Sequence, residues 1–355
     1  MTPGAGRAFA SDRLEVPADP YDLLEHSLVH GYGDGLPLVP PTEAAVGALL
    51  DATPLAADHV LGEIAPALVP CTVEKVAVNA ALTGVAPDAF GYVVAALEAI
   101  LDPPFNWGAL AATTSSVTPM LVVNGPRRAE LGFAMEAGCM GGAAGRGSVA
   151  VGRAVQLVLR NVGGQKVGVT SKSVFGQPAR VAGLCLGEWE EESPWPSLAE
   201  QRGFAATDEV VTVHGGKGTF PFADINNDDP RDLLSLIAKT LAFPLANMYL
   251  GQTAAHGETM VCFNPVWSQR FAVAFPDLAD LRAFVQEHAW QPIDLWPEHN
   301  REVLERQGRV DDRGRVHLCE HPDQWIVVTC GGRGSLHGVA FTSWAETNAC
   351  SAAVR

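Results

Sequence analysis

The chain has 355 residues, of which 47% are hydrophobic and 18% are charged, and its formal net charge is −16. A chain this apolar can bury a large core, which excludes most disorder. The acidic balance repels a phosphate backbone and an anionic bilayer, so we expect neither nucleic acid nor a membrane as a partner. We expect a small-molecule ligand instead.

The number and spacing of the cysteines, and the absence of long apolar runs, indicate a protein of a reducing compartment. No run approaches the roughly 20 apolar residues that span a bilayer, and the N-terminus lacks an apolar signal core. The seven cysteines are an odd number and are widely spaced, so we expect reduced thiols. We therefore predict a soluble cytoplasmic protein. Only five residues are lysines, namely Lys75, Lys166, Lys172, Lys217 and Lys239.

Helix-like and strand-like runs alternate along the chain. Residues 1–20, rich in Gly, Ala and Pro, predict a loose arm. Periodicity and capping residues predict helices in the segment YDLLEHSLVH, after Thr42, and over residues 73–82, 88–101, 148–164, 230–242 and 277–289. Short apolar runs predict strands over residues 120–124, 209–213, 260–264 and 325–330. This alternation indicates an α/β fold.

Two internal similarities indicate duplication. At a constant spacing, Leu110, Thr113, Met120 and Asn124 align with Leu250, Thr253, Met260 and Asn264. The segments VVTVHGGKGT (210–219) and IVVTCGGRGS (326–335) also resemble each other, and CMGGAAGRGS (139–148) is a looser third copy. We therefore predict two related α/β lobes, 21–200 and 201–355, whose strand, Gly-rich loop and helix units face a cleft. A single domain of αβ repeats is the alternative.

The three glycine-rich segments are candidate anion sites. Backbone N–H groups converge in such turns, and a basic side chain adds full charge. The 138–148 segment is the strongest case, because it leads into a helix that Ser148 is predicted to cap. The candidate substrate-binding residues are Gly141, Gly142, Arg146, Ser148, Gly215, Gly216, Thr219, Gly331, Gly332, Arg333 and Ser335. The alternative is ordinary tight turns whose basic residues point to solvent. Neither a Walker motif nor a dinucleotide fingerprint is present, so no nucleotide cofactor is indicated.

Three cysteines lie at predicted element edges, where nearby N–H groups and cations can induce thiolate character: Cys71, Cys139 and Cys330. One interpretation is that these three thiolates hold a metal ion or an iron–sulfur cluster. The other is that one of them is a nucleophile with His214 or His337 as its base. The catalytic candidates are Cys139, Cys330, His214 and Lys217.

Two further motifs have two interpretations each, and a third has one. If HLCEH (317–321) is extended, its His and Cys side chains share one face and can bind zinc; otherwise it is a surface edge strand. The run Glu190 to Glu192 is expected to be solvated. The hydroxyls of ATTSSVTP (112–119) either bind a substrate carboxylate or form a polar turn.

Several segments together resemble the UGSC-type (seleno)proteins, a bacterial family named for a U/C-G-S-C motif. The segments are DGLPLVPPTE (34–43), TVEKVAVNAALTG (72–84), LVVNGP (121–126), GRAVQLVLRNVGG (152–164), EWEEESPWPSL with QRGF (188–204) and VVTCGGRGSLHG (327–338). The resemblance implies a catalytic role with thiol or selenol chemistry, without an assigned reaction. The chain departs from the family pattern in two places. It lacks the C-G-S-C motif, and it has NPVWSQ (264–269) where family members carry Pro-Glu-His, so it has no histidine to act at that position.

The leading hypothesis is a small-molecule metabolic enzyme with an anionic, carboxylate- or phosphate-bearing substrate. Its chemistry would be of the polar lyase or hydrolase type, assisted by the loop cysteines. The alternatives are a ligand-binding or carrier protein that uses the cleft without turnover, and a structural partner in an assembly. We expect a homodimer, the commonest oligomer of such enzymes.

Overall fold

The computed structural model describes residues 8–17, 19–141, 145–247, 257–334, 336–344 and 347–355. The helices are α1 (Pro20–Val29), α2 (Glu43–Asp51), α3 (Val73–Leu82), α4 (Phe90–Leu101), α5 (Trp107–Ala112), α6 (Arg146–Asn161), α7 (Ala179–Ala182), α8 (Leu198–Gln201), α9 (Pro230–Leu241), α10 (Pro265–Ala274), α11 (Leu278–His288) and α12 (Glu298–Arg306). The strands are β1 (Val60–Ile64), β2 (Val69–Thr72), β3 (Thr118–Asn124), β4 (Cys185–Gly187), β5 (Val210–Ala223), β6 (Thr259–Phe263), β7 (Trp290–Pro292), β8 (Arg315–His317), β9 (Trp325–Thr329), β10 (His337–Ser343) and β11 (Cys350–Ala353). None of the helices in these ranges has the length and apolar character that crossing a bilayer requires.

Side-chain caps explain where two of the predicted helices begin. The hydroxyl of Thr42 accepts a hydrogen bond from the third residue of α2, and Thr72 does the same for α3. The predicted Ser148 cap is wrong. Helix α6 begins two residues earlier, behind Gly145, and the Ser148 hydroxyl accepts a hydrogen bond from the buried Ala134 N–H at 2.8 Å instead.

A mixed, curled seven-stranded sheet forms the centre of the fold and confirms the α/β prediction. Its order is β4-β3-β5-β10-β6-β9, and β11 pairs with β5. The pairs β3/β4 and β6/β9 are parallel, and the remaining pairs are antiparallel. The ends of the two edge strands meet, because the N–H of Trp189, beyond β4, donates to the carbonyl of Thr329 in β9 at 2.7 Å.

Two groups of three strands pair in an equivalent way in this one sheet. Strand β3 pairs in parallel with β4 and antiparallel with β5, and β6 pairs in the same way with β9 and β10. Asn124 ends β3 and Asn264 follows β6, as their equivalent sequence positions predict. The described sheet does not divide into two lobes at residue 200, because β3 and β5 pair over seven residues across that boundary.

Alternate residues of the strands face different cores. Leu121 and Val123 of β3 pack with helices α3, α4 and α6, whereas Met120 and Val122 belong to an inner cluster inside the curl. A third cluster packs α9, α10 and α11 against β6 and β9. The inner cluster includes three cysteines, which prove to lie at one pocket: Cys139, Cys262 and Cys330.

The N-terminal arm is attached to the body in its described part. Residues 8–17 contain no helix or strand. The N–H groups of Ala10 and Ser11 nevertheless donate to the buried carboxylate of Glu74, at 3.0 and 2.7 Å. These bonds hold the segment against α3, so the expected loose arm is wrong for this stretch.

Candidate functional site

A pocket of about 700 Å³ opens at the ends of strands β6 and β9. It is lined by Ala137, Gly138, Cys139, Met140, Gly141, Cys262, Asn264, Cys330, Gly331, Gly332, Gly334, His337, Gly338 and Val339. Two of the three predicted glycine-rich segments therefore meet here, together with the cysteines Cys139 and Cys330.

Backbone hydrogen bonds position the two cysteines. Cys330 is the first residue after β9, and its N–H donates to the carbonyl of Phe263 at 3.0 Å. Cys139 lies in a turn closed by its own N–H on the carbonyl of Glu136, at 3.1 Å. The N–H of Gly331 donates to the carbonyl of Met135 at 2.7 Å, which joins this segment to the end of β9.

The three thiols of the pocket belong to one buried cluster. Cys139 and Cys330 share a hydrogen bond, and Cys330 also interacts with Cys262. The bond to Cys330, together with burial, raises the pKa of Cys139. The bond to Cys139 lowers the pKa of Cys330. The interaction with Cys262 and burial both raise it, and the net result is a pKa well above the usual range. Both thiols are therefore neutral near pH 7.

The charge of a buried carboxyl group, that of Glu188, acts on Cys330. Glu188 is 1% exposed and follows β4 as Cys330 follows β9, with its N–H on the carbonyl of Val123 at 3.0 Å. Its carboxylate accepts hydrogen bonds from Asn124 Nδ2 and the N–H of Leu198, both at 2.7 Å. Burial raises the pKa of Glu188 to about 7, and the charge of Glu188 raises the pKa of Cys330. No described cation forms an ion pair with this carboxylate.

An ion-pair network surrounds the same strand ends. Arg128, 2% exposed, donates to the carbonyls of Glu188 and Gly125 at 2.7 and 2.6 Å and pairs with Glu190 at 3.3 Å. Glu190 also accepts from Asn124 Nδ2 at 2.9 Å. The expectation of a solvated run is therefore wrong for Glu190. Sequence reasoning missed Glu188 and Arg128, although the acidic residues follow directly on an apolar strand.

The predicted loop at 214–219 is wrong, because these residues lie inside the long strand β5. Glycine is required there by close packing. A Cβ atom on Gly215 would lie 2.6 Å from a methyl group of Leu110, and one on Gly216 would lie 2.6 Å from the ring of Phe341. Glycine inside a strand commonly marks such an approach.

Three predicted site residues of β5 lie away from the pocket. His214 is buried, its Nε2–H donates to the carbonyl of Glu258 at 2.5 Å, and burial lowers its pKa to about 4. Lys217 is half-buried, and burial lowers its pKa. Thr219 is exposed on the same strand. Of the two histidines considered as a base, His337 is the one that lines the pocket.

The basic residues of the glycine-rich segments make other contacts. Arg146 donates from Nε to the carbonyl of Gly84 at 2.9 Å, away from the pocket. Arg333 pairs with Glu192 and lies over the ring of Trp189 at 5.0 Å. A cavity of about 390 Å³ that shares Ala137 and Gly332 with the main pocket is lined by Arg333, Trp189 and Glu136. Gly142 and Ser335 lie outside the described residues.

The pocket walls offer backbone donors. In the described part of the chain, the N–H groups of Met140, Gly332 and Gly334 form no hydrogen bond. All three residues line the pocket, as do the predicted Gly141 and Gly331. The N–H groups of Met140, Gly332 and Gly334 are available to an oxygen atom of a ligand.

The predicted three-thiolate metal site is wrong. Cys71 belongs to the core cluster of α3, α4 and α6, apart from the pocket, and burial raises its pKa to about 12. Within the described ranges, no group of three or more His, Cys, Asp or Glu side chains is arranged to hold a metal ion.

The zinc interpretation of HLCEH is wrong for the same reason. His317 interacts with Asp311 at 3.3 Å, and the thiol of Cys319 donates to the hydroxyl of Thr259 at 3.8 Å. The hydroxyls of residues 112–119 lie outside the pocket. The Ser115 N–H donates to the Thr113 hydroxyl at 3.1 Å, which is a local turn bond.

No family model matches the chain, and no curated protein matches it. The resemblance to the UGSC-type (seleno)proteins therefore stays a prediction.

Proposed function

We propose that the protein is an enzyme that acts on a small anionic substrate in the pocket over Cys139 and Cys330. One observation supports the proposal: three thiols line this pocket, and the charge of the buried Glu188 carboxyl group raises the pKa of one of them, Cys330. A nucleophile next to a proton acceptor with a pKa of about 7 is the arrangement that covalent catalysis uses.

The chemistry of the pocket walls supports an anionic substrate. The N–H groups of Met140, Gly332 and Gly334 provide partial positive charge, and the adjoining cavity holds the guanidinium of Arg333, which pairs with Glu192. No Asp or Glu is among the described lining residues of the main pocket. The local environment therefore accommodates an anion despite the net charge of −16.

The raised pKa values determine how the thiol would react. A neutral thiol becomes a strong nucleophile when a base takes its proton as it attacks. We assign that role to Glu188, which accepts the Cys330 proton as the sulfur bonds to an electrophilic carbon. The oxygen of the attacked group becomes negative and is stabilised by the N–H groups of Met140 and Gly332. In a hydrolysis, the leaving group departs with the proton from Glu188. Water then attacks the thioester, which releases the acid and returns a proton to the Cys330 sulfur.

The test is a turnover screen on the full chain. Small carboxylate- and phosphate-bearing esters, thioesters and amides are incubated with the protein, and products are detected by NMR. Cys330→Ser and Glu188→Gln should each reduce turnover by about 10²- to 10⁴-fold, the usual contribution of a positioned proton carrier. Cys71→Ser is the matched control, because Cys71 is buried outside the pocket. Full turnover in Cys330→Ser would show that the thiol mechanism is wrong.

A second candidate function is ligand binding without turnover. The observation that favours it is the burial of the thiols, since Cys139 is 7% and Cys330 4% exposed and both have raised pKa values. In that case compounds from the same panel bind, as seen by calorimetry, and no product forms. Binding would then survive Cys330→Ser. Detection of any product that this variant fails to form rules the candidate out.

A further inference from the structure

We infer that Cys139 and Cys330 form a redox-active pair, which a small oxidant entering the pocket converts to a disulfide. The inference goes beyond the proposed function, because it concerns the thiols themselves and needs no substrate. It begins from their placement: both side chains line the pocket and belong to the same buried cluster, and a hydrogen bond between them raises the pKa of Cys139. A small oxidant that enters the pocket therefore reaches both sulfurs.

The backbone at each cysteine permits the sulfurs to move together. Cys139 lies in a turn whose described bonds are the short contacts of Cys139 with Glu136 and of Gly141 with Gly138, each 3.1 Å. Cys330 lies just beyond the last residue of β9, held by a bond to Phe263. A disulfide needs a sulfur separation of about 2.05 Å, and the turn that holds Cys139 is the part of the pocket whose backbone can shift to reach it.

Cys262 also contacts Cys330, but its backbone is less free to adjust. It pairs with Val328 on one side and Val339 on the other, inside the sheet. Closing a bond from this position requires movement of a strand that is paired along both edges. A turn deforms at a lower cost than such a strand, and this favours Cys139 as the partner.

Hydrogen peroxide is the oxidant for which we write the reaction. One thiol sulfur attacks a peroxide oxygen, the O–O bond breaks, and a sulfenic acid and water form. The second thiol then displaces the hydroxyl group from that sulfur, which gives the disulfide and a second water. The two sulfurs are oxidised and the peroxide is reduced. Because both thiols are neutral, we expect the reaction to be slow, so that it needs an excess of peroxide.

The bond would join the turn that contains Cys139 to the end of β9 and would consume both thiols. If the proposed function is right, oxidation therefore abolishes turnover and a dithiol reductant restores it. This consequence rests on the proposed function. The formation of the bond does not.

The experiment is peptide mapping of the oxidised full chain. The protein is treated with hydrogen peroxide, free thiols are blocked with N-ethylmaleimide, and the chain is digested with trypsin. Cys139 lies on the tryptic peptide 129–146 and Cys330 on 316–333. Because 316–333 also contains Cys319, the variant Cys319→Ser is mapped beside the unmodified chain. We expect peptides 129–146 and 316–333 to be linked, two hydrogens lighter than their sum, and released by dithiothreitol.

The outcomes separate the alternatives. A link between 316–333 and the peptide 240–270, which contains Cys262, would overturn the assignment of Cys139. Cysteines oxidised singly, without a link, would overturn the pair. Cys71→Ser should retain the link, and Cys139→Ser should lose it. Since the unmodified chain gives the primary result, a variant that fails to fold does not affect it. The link is expected even if no compound of the turnover screen reacts, so the two proposals fail separately.

Discussion

The buried carboxyl group of Glu188 leads to a stability prediction with a definite sign. Burial raises its pKa from the usual 4.5 to about 7, against the opposing effect of hydrogen bonds from Asn124 and Leu198. Arg128 also lowers the pKa, whereas Glu190 raises it. Ionised Glu188 is thus less stable in the folded chain than in water, even with these partners.

The size of the effect follows from linkage. One pKa unit corresponds to about 1.36 kcal/mol, so a rise from 4.5 to about 7 corresponds to about 3 kcal/mol. The folded state holds the Glu188 proton more tightly than the unfolded state does. This stabilisation is therefore complete below pH 4.5 and is lost as the pH rises through about 7.

The variant Glu188→Gln tests this reasoning. Asn124 and Leu198 both donate to the same carboxylate oxygen, so the amide oxygen of glutamine can accept both bonds. Because glutamine stays neutral, the variant should unfold at a higher urea concentration than the parent at pH 8, with a gain of up to about 3 kcal/mol. Most of this gain should disappear at pH 5.

Tryptophan fluorescence follows the unfolding at both pH values. Glu305→Gln is the matched control, because Glu305 is an exposed carboxylate on α12 and should give the same stability as the parent. The reasoning is refuted if Glu188→Gln is less stable than the parent at pH 8. It is also refuted if the difference between the two proteins is the same at pH 5 and pH 8. In either case the folded environment stabilises the ionised carboxylate.

Two further predictions concern packing and the ion network. Gly216→Ala should lower the free energy of unfolding by about 1–3 kcal/mol in urea, because its Cβ meets the Phe341 ring. Gly47→Ala, inside α2 with open space around it, should raise the free energy of unfolding by about 1 kcal/mol. A stabilised Gly216→Ala would contradict the packing argument. Arg128→Met should lower stability by about 3–5 kcal/mol, since it removes the cation beside Glu190. A loss below about 1 kcal/mol would mean that the network contributes little.

Short-range signals in the sequence were sufficient for many local elements. The Thr42 and Thr72 caps, the apolar strand before Asn124 and its equivalent before Asn264 all follow from residues within a few positions of each other. The loop prediction is wrong where two similar sequence segments have different tertiary surroundings. HGGKG and CGGRG look alike, yet the former lies inside β5, because Gly216 packs against Phe341.

The candidate site shows the same division. Cys139 and Cys330 were identified from the sequence as cysteines at element edges, and Cys71 was grouped with them on equal grounds. Only the tertiary structure distinguishes Cys71 from the two cysteines of the pocket. The pairing of β6 with β9, and the hydrogen bond from Gly331 to Met135, bring Cys330 to Cys139 and leave Cys71 in another core.

The sequence alone therefore determined the α/β class and the approximate positions of seven helices and four strands, because periodicity and capping act over a few residues. The tertiary structure alone decided that strands from residue 118 to residue 353 share one curled sheet, which thiols line one pocket, and that the charge of Glu188 acts on Cys330. These contacts join residues far apart in the chain. They depend on strand order and register, which no local pattern in this sequence encodes.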